Sequence, residues 1–149
     1  MENSNQRNLD YLAAKYAQNI VKELVNNKNT DAGSVDNTVT KTLGVLQTDG
    51  VYACFLYLFA KEKDNGGVVI ENMLNLLAAL PFGWEKPDDK SSDSVLTYIN
   101  EQIPENLERL LLARETLEQM LIYARYGSKA RKAAAESSKN GGNRELESL

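Results

Sequence analysis

The sequence predicts an all-α protein: a compact bundle of about six helices around one central buried helix, followed by a flexible C-terminal tail. Three observations lead there. Gly and Pro are scarce, at 9 and 3 of 149 residues, and the segments between them are long and rich in Leu, Ala, Glu and Lys. Apolar residues near both ends of the chain recur at spacings of three and four, the period of one helical face. The stretch 51–60 is apolar or small at every position, leaves no polar face for water, and so calls for cover on all sides. It is also far shorter than the ~20 residues that a hydrocarbon core requires. A strand is the alternative there, because aromatics suit sheets, but no second strand-like run exists to pair with it.

The first helix is expected over 6–28, where Leu9, Leu12, Tyr16, Ile20 and Leu24 form a stripe widened by Ala13, Ala17 and Val21. Arg7, Lys15 and Lys22 stand off it. A polar connector follows, and the second helix is expected to start near Asp36 with Val39, Leu43 and Leu46 inward. Gly44 inside it costs about 1 kcal/mol against Ala, which suggests a close helix contact. The polar group 47–50 then marks a corner, where Asp49 can cap the next helix and Gly50 permits a backbone that other residues resist. The buried third helix spans 51–61.

A turn at 64–67 leads to a fourth helix over 68–80, with Met73, Leu74, Leu77 and Leu80 inward and Pro81 as its stop. Phe82 and Trp84 in the next loop either plug the core or face a partner. Ser92 can cap a fifth helix running to about Ile103, and Pro104 suits the first turn of a sixth. That last helix, over 105–126, carries Leu107, Leu110, Leu111, Leu117, Met120, Leu121 and Ala124 as its stripe, with Gly127 as a natural stop. Residues 1–130 therefore form one domain, and 131–149 a polar, disordered tail without an apolar stripe. Removing residues 139–149 should leave the melting temperature within about 4 °C of the parent's, the equivalent of ~1–2 kcal/mol here. A larger drop in a thermal scan would mean that the tail docks on the body.

Composition narrows the chemistry. The chain has no histidine, which removes the commonest general base, the commonest metal ligand and every His-activated nucleophile. Cys54 is the only cysteine and lies in the all-apolar run, as a buried inert thiol would. A structural zinc site and an intramolecular disulfide are both out of reach. Asp88-Asp89 has Lys86 and Lys90 beside it and fits a solvated turn, and Gly66-Gly67 lacks the Lys-Ser/Thr of a phosphate loop. No catalytic residue, metal or cofactor is expected. The polar opening 1–4 has no apolar signal core, and with the lone cysteine this leads to an expected cytoplasmic location.

Charge is unevenly spread. Between Gln119 and Arg144 six basic residues face one acid, Glu136, so this segment carries 6 − 1 = +5 and the rest of a chain of net charge -4 carries -9. A polyanion partner at the basic end and a solubilising tail both fit that pattern.

Two stretches carry a resemblance. Leu46, Gln47, Thr48, Asp49 and Gly50, then Tyr57 and Lys61, fall on the signature of the small helical subunit of the type III-B CRISPR effector, the Cmr complex. Asp49 stands for the usual Asn, and Leu43 where many members carry Pro. Near the C-terminus Arg114, Glu115, Leu117, Arg125 and Tyr126 fall on a second family pattern, with Ile122 in place of its Trp. The resemblance implies a non-catalytic subunit in antiviral defence, RNA-binding, that stacks with copies of itself among other effector subunits. It would line the groove holding guide RNA and target RNA and read backbone and shape. With the basic end, it makes Lys41, Lys61, Arg114, Arg125, Lys129, Arg131 and Lys132 the candidate RNA contacts. A helical adaptor that binds only protein is the alternative.

Overall fold

Six α-helices run through the computed structural model, which describes residues 2–147 and, for side chains, residues 9–138. They are α1 (Glu2–Val21), α2 (Ala32–Asp49), α3 (Val51–Lys61), α4 (Gly66–Ala79), α5 (Ser92–Gln102) and α6 (Leu107–Glu147). There is no strand among the described residues. No described helix is long and apolar enough to cross a membrane.

The long α6 lies between α1 and α2 and touches both. Tyr123 donates to Asp10 and Arg131 to Asn26, so α1 and α6 run parallel. Arg114 reaches Gln47 and Lys129 reaches Asp36, so α2 runs antiparallel to them. Ala13, Ala17, Ile20 and Leu24 meet Ala113, Leu117, Met120, Leu121 and Ala124 in one continuous core. The expected stripes supply it: burying such side chains is the dominant favourable term in folding.

The enclosure expected for the third helix belongs to the fourth. Nine of the 14 residues of α4 are buried, among them Val69, Met73, Leu76 and Leu77. On α3 only Val51, Cys54, Phe55 and Leu58 are buried, while Tyr52 and Leu56 stand 45% and 46% exposed. With α2, α4 and α5 as its neighbours, α3 keeps one side open. Apolar composition marks what can be buried; neighbours decide what is, and much of any folded surface remains apolar. The same holds at the start of α6, where Leu107 and Leu111 are exposed instead of inward.

Helix ends differ from expectation by small, explicable steps. α1 leads into a single π-helical turn, Lys22–Asn27, closed where Thr30 N–H reaches the Leu24 carbonyl at 2.8 Å. Asp49 ends α2 and does not cap α3; Gly50 does so through its backbone carbonyl, at φ 99° and ψ -174°. That left-handed region favours glycine. Ser91, one residue before the expected Ser92, caps α5 by accepting from Ser94 N–H at 3.3 Å. Pro104 sits in a short 3-10 turn, and Asn106 caps α6. Gly127 is not a stop: α6 passes through it, and a Cβ there would come within 3.2 Å of the Val21 side chain. Its missing side chain lets α1 approach. Past it, residues 132–138 are exposed throughout and add nothing to the core; the rest of the expected tail, 139–149, lies outside the described side chains.

Phe82 and Trp84 act as a plug. Trp84 is buried, Phe82 meets it edge-on at 4.9 Å, and Arg109 lies over the Phe82 ring. Gly44, by contrast, makes no close contact, since a Cβ there would find nothing within 4 Å. Gly44→Ala should therefore raise stability by about 0.5–1 kcal/mol, readable as a higher urea midpoint at unchanged slope. A lower midpoint would contradict the open environment.

Candidate nucleic-acid interface

The α2–α3 corner is held from across the molecule. The Arg114 guanidinium donates from Nη2 to the Gln47 carbonyl at 2.7 Å and from Nε to Glu118 Oε1 at 3.3 Å. A cation on the last carbonyls of a helix satisfies groups that have no partner inside the helix and meets the negative end of its dipole. Two sequence patterns 67 residues apart thus meet in one hydrogen bond.

Beyond α3, a polar network ties three helices together. Tyr57 donates to Glu62 Oε1 at 2.8 Å and Thr38 to Glu62 Oε2 at 3.0 Å. Asn65 donates to Thr38 Oγ1 at 2.9 Å and to Ser34 Oγ at 3.2 Å. Burial, together with the hydrogen bond to Glu62 and its charge, pushes the Tyr57 phenol up to about 12, so it stays a neutral donor. Above this network opens a cleft of about 340 Å³, with Lys41, Lys61 and Lys63 on its walls. All three are exposed, and none has an ion pair among the described residues. The first N–H groups of α4 add partial positive charge on the same side.

Only some of the expected cations gather here. Lys41 and Lys61 share the cleft. Arg114 is committed to the corner, and Lys129 pairs with Asp36 at 3.3 Å. Arg125 is half-buried, with an enclosed Nε that has no hydrogen-bond partner among the described residues. These three lie along the α2–α6 seam, not on a free outer row. Arg131 sits on the other flank of α6, donating to Asn26, and Lys132 is exposed beyond it. Lys63 is the cation that spacing missed. Its signal was its place next but one to Lys61, hidden by an apparent turn.

Cys54 contributes no chemistry to this face. Burial pushes its thiol up to about 12, and it donates weakly to the Thr42 carbonyl at 3.7 Å. Among the described residues no three carboxylate or thiol side chains converge to hold a metal. No protein-family model, no curated protein and no solved structure matches this chain.

Proposed function

We propose that this chain is the non-catalytic small subunit of a type III CRISPR RNA-guided effector complex, contacting guide and target RNA through the Lys41–Lys61–Lys63 cleft. The observation that carries the reading is the Arg114–Gln47 hydrogen bond, because it joins the two stretches on which the resemblance rests. The cleft adds a second support: Lys41 and Lys63, without ion pairs among the described residues, stand beside Lys61 at the end of the signature helix. Such a subunit needs fixed positive charge for phosphates and no nucleophile. Co-purification from the native host tests it: CRISPR backbone proteins and a guide RNA should come along. Recovery of the chain alone would reject the assignment.

A protein-only adaptor is favoured by one observation, the exposed apolar side chains Tyr52 and Leu56 on α3 and Leu107 and Leu111 on α6. A salt titration of RNA binding separates the two readings, since only the first predicts binding that weakens steeply with salt.

A further inference from the structure

A second cleft, of about 420 Å³, opens between the end of α1 and α4 on different residues from the lysine site. Five asparagines line it: Asn19, Asn26, Asn27, Asn72 and Asn75. The π-helical turn brings two of them there, because its wider winding carries Asn26 and Asn27 round toward α4. Such turns are uncommon and occur often at functional sites. Its C-terminal end is fixed: Lys28 N–H reaches the Glu23 carbonyl at 3.0 Å, and Asn29 adopts a positive φ of 54°.

The wall is amide, and the rim carries charges of both signs. Asn72 is buried and donates to the Val68 carbonyl at 2.9 Å, which fixes its plane. Lys22 lines the cleft, and Arg131 reaches it through Asn26. Of its acids, Glu71 is neutralised by Lys90 at 3.0 Å, leaving Glu23. An amide presents one acceptor beside two donors, the pattern of a nucleobase edge. In single-stranded RNA those edges are free, and proteins read them there. A neutral sugar would satisfy the amides but draw nothing from the cations.

We infer that the asparagine cleft takes the base of a single-stranded nucleotide by its edge, while Lys22 and Arg131 hold the flanking phosphates. This rests on the RNA reading above and adds to it a contact with bases as well as backbone. Binding remains sequence-tolerant, because every base offers a donor and an acceptor side by side.

The test compares two labelled strands of about ten nucleotides, one RNA and one abasic with the same sugar-phosphate spacing, by fluorescence anisotropy with the full chain. The base-bearing strand should bind about fivefold tighter or more, the scale of one edge contact. Asn19→Ala with Asn75→Ala should erase that preference and leave the helical spectrum unchanged, since neither side chain is buried. Lys41→Glu with Lys61→Glu should weaken both strands alike and preserve the ratio. Equal binding of the two strands by the parent chain, or a preference that survives the asparagine changes, overturns the inference while the RNA reading stands. Binding of neither strand overturns the RNA reading, and this cleft's role with it.

Discussion

Phe55→Asp is expected to unfold the protein. Phe55 is fully buried on α3, on the flank beside the open side that Tyr52 and Leu56 occupy. Truncating a buried Phe costs about 3–5 kcal/mol. Putting an unpaired carboxylate in its place adds the cost of taking a charge out of water. Together they rival the ~5–15 kcal/mol that holds a domain folded. The helical spectrum should collapse, or the melting transition should vanish at temperatures where the parent is intact. Tyr52→Asp, only three residues away, should shift stability by no more than ~0.5 kcal/mol, as exposed positions do. Equal behaviour of the two variants would mean that α3 is turned differently from the way described here.

Reversing Lys41, Lys61 and Lys63 to Glu is expected to abolish RNA binding with folding intact. The three lysines should contribute about -2 to the parent's log–log slope with salt, from three phosphates at ~0.7 each on a single strand. The three side chains are exposed and without ion pairs among the described residues, so their reversal breaks no contact described here. Charge reversal at Lys129 should act otherwise. It would set a glutamate against Asp36, removing a pair worth about 0.2–1 kcal/mol and adding repulsion, with stability lost before affinity. Parental affinity in the triple lysine variant would move the RNA contact elsewhere or remove it.

The helices were legible because their apolar spacing is regular. Ile20, Leu24, Met73, Leu77, Leu117 and Met120 lie where a period of three to four puts them, and all are buried. What spacing could not supply was the identity of the neighbour. Apolar spacing does not distinguish Tyr52 from Phe55; the helices packed against α3 do. The cations suffered more. A window from Gln119 to Arg144 sums to +5, but Asp36, far away in sequence, comes alongside Lys129 and offsets one of those charges, while Asn26 engages Arg131. A charge count along the chain cannot see partners that arrive from elsewhere. Gly127 was misjudged in the same way, since its use is a contact with Val21 across the bundle.

The placement of α6 between α1 and α2 also sets the order in which the protein can become a protein. Synthesis delivers α1 and α2 first, yet both bury their apolar faces against a helix that begins at Leu107. At ~5–20 residues per second, the roughly hundred residues from α1 to the middle of α6 take about 5–20 s to appear. Until then Ile20, Leu24, Val39 and Leu43 have only each other, α3 and α4 for cover. The nascent chain therefore spends those seconds as a sticky, half-closed intermediate. Ribosome-stalled lengths should show protease protection of α1 appearing only once Ala124 has cleared the exit tunnel.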